Sequence, residues 1–256
     1  MDRPLTLSVI IITKNEERNL ARCLNSVREF ANEILIRDSF STDRTRQVAF
    51  DSGLPVRWFE SEFPGYGKAK NDLAQEAVCD LIFSIDADEE VDNNLKISLL
   101  KIKAEGAPGM VYAVDRLNNY CGRWIRHGGW NPDIKPRLWL KGKASWSLSE
   151  VHEILVSEVV KPQILPGRLL HYSYTTTQEH LQKIETYSTR GALRMKREGK
   201  SFSYLSLLLS PAFRFFRDYV LKAGFLDGSA GFRIARLTAF ETWLKYKKLK
   251  SLLRIS

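Results

Sequence analysis

Leu81-Ile82-Phe83-Ser84-Ile85-Asp86-Ala87-Asp88-Glu89 is the stretch that decides the fold. A short apolar run bounded by polar residues reads as a buried strand. It delivers two acids, separated by one small residue, at its carboxyl end, the edge where open α/β sheets bind ligands. Side chains two apart on an extended segment point the same way, so Asp86 and Asp88 are expected on one side. Carboxylates placed like that repel unless a cation lies between them. A divalent ion carrying a substrate diphosphate meets that need. The plainer reading is a solvated acidic turn ahead of a helix, with Asp88 or Asp92 as its N-cap.

Outward from this segment, strands and helices alternate. Residues 7–12 form a β-branched run that ends at Thr13-Lys14-Asn15-Glu16, and a helix follows with Leu20, Cys23, Leu24 and Val27 at helical spacing. Residues 33–36 make a second strand, stopping at Asp38-Ser39-Phe40-Ser41-Thr42-Asp43, and residues 56–59 a third. Helices are expected over 68–78 and 93–103, and further strands over 110–116, 136–140 and 154–160. Such alternation implies an α/β fold with a parallel sheet built from βαβ units. Beyond Thr177 the pattern is helical, over 178–198, 204–223 and 229–253. A boundary near residue 175 therefore divides an α/β domain, 1–175, from a basic helical region, 176–256.

Composition narrows the class. The 256 residues, 44% of them hydrophobic, suffice for one large α/β domain with a helical appendage. Cys23, Cys79 and Cys121 are widely spaced and lack a CxxC pair, which argues against a disulfide scaffold or structural zinc and fits a reducing cytoplasm. No signal-type leader opens the chain and no run of 18 apolar residues occurs, so a spanning helix is not expected. The net charge of +9 is concentrated from Arg190 onward, where Lys and Arg are interleaved with Phe, Leu, Trp and Tyr. That mixture suits nucleic acid or an anionic membrane surface. No nucleic-acid module accompanies it, which favours the membrane surface and no nucleic acid.

Three polar clusters each end a parallel strand: Thr13 to Glu16, Asp38 to Asp43, and Asp86 to Asp88. Neighbouring strand ends in a doubly wound sheet share one crevice, so the clusters are expected to converge. Asn15 and Thr42 also qualify as helix N-caps and Asp43 as a first-turn acid, roles compatible with ligand binding.

Ser8-Val9-Ile10-Ile11-Ile12-Thr13-Lys14-Asn15-Glu16-Glu17, Asp38-Ser39-Phe40-Ser41-Thr42-Asp43-Arg44-Thr45 and Asp86-Ala87-Asp88-Glu89 together resemble the family 2 glycosyltransferases of GT-A fold. The resemblance implies a Rossmann-like, mixed, mainly parallel sheet flanked by helices, here with a basic C-terminal helical extension. It implies an inverting, metal-dependent hexose transfer from a nucleotide sugar, with Mg2+ or Mn2+ as cofactor. Thr13 and Glu16, with Asn15 between them, would line the nucleotide pocket. Asp38 would contact the uracil or ribose, Asp86 the ribose or pyrophosphate, and Asp88 the metal. One departure bears on loop shape: the family usually has Gly where Phe40 stands, and Gly permits positive φ.

A second set of residues narrows the resemblance. Tyr120-Cys121-Gly122-Arg123-Trp124-Ile125-Arg126-His127-Gly128-Gly129-Trp130-Asn131-Pro132-Asp133, then Arg137-Leu138-Trp139, Val151-His152-Glu153 and Lys222-Ala223-Gly224-Phe225-Leu226-Asp227-Gly228, are similar to the WaaE/KdtX-like enzymes, which add glucose to lipopolysaccharide inner-core heptose. This implies UDP-glucose as donor, a lipid-anchored glycan acceptor, and a cytoplasmic enzyme peripheral on the inner face of the inner membrane. A related enzyme with another donor sugar serving capsule or other surface glycans is the alternative. A degenerate nucleotide-binding membrane adaptor is another, against which intact Asp86, Asp88 and Glu153 argue.

The resemblance makes Glu153 the general base, with Asp133 as runner-up. His171, ending a strand-like run, is either a metal or pyrophosphate ligand or a structural residue. Lys70 faces the donor or opens a solvated helix. Arg137 binds donor phosphate or salt-bridges a sheet-end acid, and Arg126 and His127 are candidates for acceptor phosphate. Phe213, Phe215, Phe216, Tyr219 and Leu221 either dip into a membrane interface or pack on the α/β domain.

Overall fold

A computed structural model describes residues 3–148, 153–159 and 161–254. In chain order its elements are β1 (Leu7–Thr13), α1 (Leu20–Val27), β2 (Glu33–Asp38), α2 (Thr45–Asp51), β3 (Val56–Glu60), α3 (Tyr66–Glu76), β4 (Leu81–Asp86), β5 (Glu89–Val91) and α4 (Asn93–Glu105). Then follow β6 (Val111–Tyr120), β7 (Arg123–Trp124), β8 (Ile134–Leu140), β9 (Ala144–Trp146), β10 (Leu155–Ser157) and β11 (Gln163–Tyr174). Helices α5 (Thr177–Arg197), α6 (Tyr204–Phe216) and α7 (Gly228–Arg254) complete the chain, with a π turn over Arg217–Leu221.

Two units divide these elements. One runs to Arg116 and resumes over Ile134–His171; the other comprises Leu117–Asp133 and the chain from Tyr172 onward. This differs from a single boundary at residue 175, because residues 117–133 are built into the helical unit. The backbone amides of Arg126 and His127 donate to the Asp227 carboxylate, and Gly128 N donates to Lys222 O at 2.8 Å.

The sheet of the first unit has the order β3-β2-β1-β4-β8-β6-β11-β5. The β3-β2-β1-β4 half is parallel, whereas β8 runs antiparallel to β4 and β6, and β5 antiparallel to β11. Alternation along β1 covers both faces. Leu7, Val9 and Ile11 pack with Leu20, Cys23, Leu24 and Val27 of α1, while Ile10 joins Leu35, Ile82, Leu73 of α3 and Trp139 on the other side. Helix α4 is capped by Asp92, whose Oδ1 accepts from Leu95 N at 2.7 Å, so Asp92 and not Asp88 takes the capping role. The strand expected over 154–160 is the short β10, and Val160 lies outside the described residues. Helix α2 and strands β5, β7 and β9 were not legible as elements; β5, β7 and β9 are two or three residues long.

In the second unit α5 opens with a capping box between Thr176 and Glu179 and buries His180, Ile184, Ser188, Ala192 and Met195. His180 sits among Tyr120, Trp130 and Tyr174, with ring centroids 4.6–5.6 Å away. The single helix expected over 204–223 is instead α6, then the π turn, then Ala223 in the left-handed region at φ 54.

Candidate active site

Strand register brings the three polar clusters together. Thr13 pairs with Asp38 across β1 and β2, and Ile12 pairs with Asp86 across β1 and β4. The carboxyl ends of three adjacent parallel strands therefore form one edge.

Hydrogen bonds lace the first two loops. Asn15 N donates to Ser41 Oγ at 2.7 Å, Thr42 N to Asn15 Oδ1 at 2.8 Å, and Glu16 N to Thr45 Oγ1 at 2.8 Å. The Asp38 carboxylate, 1% exposed, accepts from the backbone and hydroxyl of Ser41. Phe40 lies inside that turn and adopts φ 57 itself, taking the conformation a glycine would supply and leaving its ring exposed. Thr13 is buried, and among the described residues its hydroxyl has no hydrogen-bond partner. Buried hydroxyls are seldom left unmatched, and this one lies at the carboxyl end of β1.

Beyond Asp86 the chain turns at Ala87-Asp88 and reverses into β5. The expectation that both acids face one side assumed extended chain through Asp88, and the turn gives them separate partners. Asp86 accepts from Arg137 Nη2 at 2.8 Å and lies 3.4 Å from Lys70 Nζ. Burial would raise the Asp86 carboxyl, but Arg137 and then Lys70 override it and hold it well below the usual carboxylate range. Arg137, 3% exposed, donates from the same Nη2 to Glu89 Oε1 at 2.8 Å. Burial acts to lower the Arg137 pKa, and Asp86 and Glu89 outweigh it and raise it. Arg137 makes the bridge to sheet-end acids, one of its two readings. Its Nε and Nη1 are buried and have no hydrogen-bond partner among the described residues.

Lys70 is buried, not part of a solvated helix start. Its Nζ lies 3.1 Å from Glu153 Oε1 and 4.5 Å from the centre of the Trp146 ring. Gly67 permits this placement: a Cβ there would lie 2.0 Å from Ser147 O. Glu153 is half-buried; Val151 and His152 lie outside the described residues. Asp133, also half-buried, belongs to the second unit, at the end of Leu117–Asp133.

His171 reaches the site through register. It pairs with Glu89 across β11 and β5, which sets its Nε2 3.2 Å from Asp88 Oδ2. Among the described residues no three His, Cys, Asp or Glu side chains cluster as a metal cage. A carboxylate and an imidazole converging at one point still fit a divalent ion that takes its other ligands from phosphate oxygens and water. Sequence reasoning missed Glu89 as the fully buried acid that joins Arg137 and Arg116, the latter donating to Glu89 at 3.3 Å. Its place directly after Asp88 was the available signal.

The sequence matches the Glycosyl transferase family 2 model over residues 8–156. It is 30% identical over 253 residues to a lipopolysaccharide core biosynthesis glycosyltransferase, LpsC, of Rhizobium meliloti, covering 94% of this chain and 93% of that one. An uncharacterised glycosyltransferase of Rickettsia typhi is also 30% identical, over 96% and 87% of the two chains. Among solved structures, the mannosyltransferase PcManGT of Pyrobaculum calidifontis, in complex with GDP-Man and Mn2+, aligns with a TM-score of 0.52 at 14% identity over 98% of this chain and 87% of its own. Staphylococcus aureus TarS with UDP-GlcNAc aligns with a TM-score of 0.50 at 15% identity over 98% and 92%. The family match covers the sheet edge from Thr13 to Glu153, and the structural likeness extends over nearly the whole chain: this protein is a family 2 glycosyltransferase of GT-A fold.

Proposed function

We propose that the enzyme transfers a hexose, glucose from UDP-glucose, with inversion onto the inner-core heptose of a lipopolysaccharide precursor or a similar lipid-anchored glycan, working at an anionic membrane surface. The observation that carries this reading is the pairing of Asp88 with His171 on the sheet edge that also presents Thr13, Asp38 and the Asp86–Lys70–Glu153 chain. The likeness to a lipopolysaccharide core enzyme over the full chain supports the acceptor class. Among the described residues no helix is long and apolar enough to cross a membrane, which fits attachment to a surface.

Asp88 and His171 are the residues that would hold Mn2+ or Mg2+, and the ion, when bound, neutralises charge developing on the leaving diphosphate. Thr13 Oγ1 and the Asn15–Glu16 backbone line the nucleotide side, with Asp38 toward the base or ribose. Asp86 is fixed by Arg137 and Lys70 near the ribose or pyrophosphate. Glu153 takes the proton from the acceptor hydroxyl as that oxygen bonds to the anomeric carbon and the bond to the diphosphate breaks. Lys70 orients the Glu153 carboxylate. Asp133 is the second candidate for the base.

A thermal-shift screen of UDP-, GDP-, CMP- and ADP-sugars with Mn2+ tests the reading, because a true donor raises apparent stability and a non-binder does not. UDP-glucose should stabilise the wild type, and Asp88→Asn and His171→Ala should lose the Mn2+-dependent part. Stabilisation by another sugar nucleotide alone overturns the donor assignment.

A further inference from the structure

Helix α6 is apolar, yet it buries none of its residues. Leu205, Leu208 and Phe213 are 65%, 68% and 60% exposed, and the apolar surface continues past the π turn to Leu221 and Leu226 at 63% and 57%. A monomer rarely leaves such a patch open without a partner. Phe215 and Tyr219, by contrast, stack on each other at 5.3 Å and meet Phe232 of α7 edge-on, so they are internal packing. The five residues expected to share one fate are therefore divided, with Phe213, Phe216 and Leu221 left outside.

Residues 199–226 of this surface are basic, and across the cleft Glu241 of α7 is the acid that interacts with Arg214 and Lys245. Between residues 199 and 226 the sole acid is Asp218, and its side chain is 4% exposed, held by Arg214 at 2.7 Å and Arg217 at 2.8 Å. Two arginines share that one carboxylate, and Lys200 and Lys222 add to the excess. Between α6 and α7 lies a cleft of about 370 Å3 whose walls include Phe213, Tyr246, Arg214, Arg217 and Lys245. Three cations facing apolar walls match the junction between a phosphate headgroup and its acyl chains.

We propose that this face of the second unit docks on an anionic phospholipid bilayer, the exposed α6 side chains entering the interface and the Arg214–Arg217–Lys245 cleft receiving a lipid phosphate. This deepens the reading of a membrane-borne acceptor and rests on it for its purpose. A second copy of the chain is a poorer occupant, because a two-fold contact would set the same cations against one another. Spanning does not fit: Arg214, Arg217 and Asp218 interrupt the apolar run, and among the described residues no helix is long and apolar enough to cross a membrane.

Flotation with phosphatidylglycerol–phosphatidylcholine vesicles, against phosphatidylcholine alone, tests the proposal. Binding to the anionic vesicles alone, weakening with salt, is expected. Leu208→Ser with Phe213→Ser should lower partitioning at least tenfold, and Lys245→Gln about fivefold. Circular dichroism and donor thermal shift should stay at wild-type values in both variants, which separates this result from failure of the glycosyl-transfer reading. Wild-type vesicle binding by the Leu208/Phe213 variant overturns the proposal. So does a concentration-dependent dimer in sedimentation without vesicle binding, which assigns the face to a second copy. Full competition by millimolar inorganic phosphate overturns the lipid assignment and leaves a free-phosphate cleft.

Discussion

The Lys70 ammonium lies 3.1 Å from Oε1 of Glu153, a contact between residues 83 positions apart in the chain. The same nitrogen is 3.4 Å from Asp86 and rests on the face of Trp146. One buried cation therefore fixes the spacing between the strand-end acid and the candidate base. Glu153→Gln should lower kcat by about 10²–10⁴ while donor affinity changes little. Lys70→Met should lower kcat more than it raises KM, and Lys70→Arg should restore part of the loss, because it keeps a cation over Trp146. Steady-state kinetics with a saturating donor distinguish these outcomes. A Glu153→Gln enzyme of unchanged turnover moves the base to Asp133.

Arg137 holds two acids through a single nitrogen, and Glu89 is wholly buried. Arg137→Met leaves Glu89 with the 3.3 Å contact to Arg116 and the hydrogen bond from Asp86 N at 2.9 Å, and Asp86 with Lys70. Removing one partner from a buried ion pair costs about 3–5 kcal/mol, and the remaining contacts set the loss toward the lower end. Urea denaturation should read that loss, and adding Glu89→Gln to the variant should recover part of it. Strict additivity of the two substitutions would show that the pair does not interact.

His180 is 3% exposed in its aromatic surround, and burial, followed by the nearby Lys183 charge, lowers its pKa to about 4. The folded value lies below the unfolded one, about 6.5, so the unfolded chain binds the proton more readily. Stability is then complete above pH about 6.5 and falls as pH drops toward 4, by roughly 3 kcal/mol over the window. His180→Phe keeps an aromatic ring among Tyr120, Trp130 and Tyr174 and should remove this slope. Denaturant titrations at several pH values, wild type against variant, isolate the contribution. Parallel pH curves would rule it out.

The parallel half of the sheet was legible because each strand is a β-branched run ending in polar residues, and position along the chain fixes which ends are neighbours. The convergence of Thr13, Asp38 and Asp86 at adjacent strand ends follows on that basis. The pairing of His171 with Asp88 depends on antiparallel register between segments about 80 residues apart, which local pattern does not encode. The assignment of residues 117–133 to the helical unit was hidden for a similar reason. It depends on Asp227 accepting from the amides of Arg126 and His127, about 100 positions earlier. Local pattern leaves Lys70 as well suited to solvent as to the donor, because its burial comes from Trp146 and Glu153, both remote in sequence.

Phe40 offers a direct measure of how firmly the nucleotide-side loop is held. A bulky residue at φ 57 costs about 1–2 kcal/mol relative to its ordinary conformations. The loop imposes that cost through Ser39 N to Thr13 O at 3.1 Å, Ser41 N to the Asp38 carboxylate at 2.7 Å, and Thr42 N to Asn15 at 2.8 Å. The ring, 55% exposed, recovers little of it by burial. Phe40→Gly removes the strain but adds roughly 0.5–1 kcal/mol of unfolded-chain entropy. Phe40→Asn tolerates the left-handed region without that entropy, so it should stabilise by up to about 1 kcal/mol, a rise in Tm of roughly 2–4 °C. Phe40→Val, β-branched and least tolerant of positive φ, should fall below the wild type. Calorimetry of the three variants should rank Asn at or above Gly, then Phe, then Val. A Val variant as stable as the Gly variant would show that the loop relaxes, and that the hydrogen bonds around Asp38 do not dictate its shape.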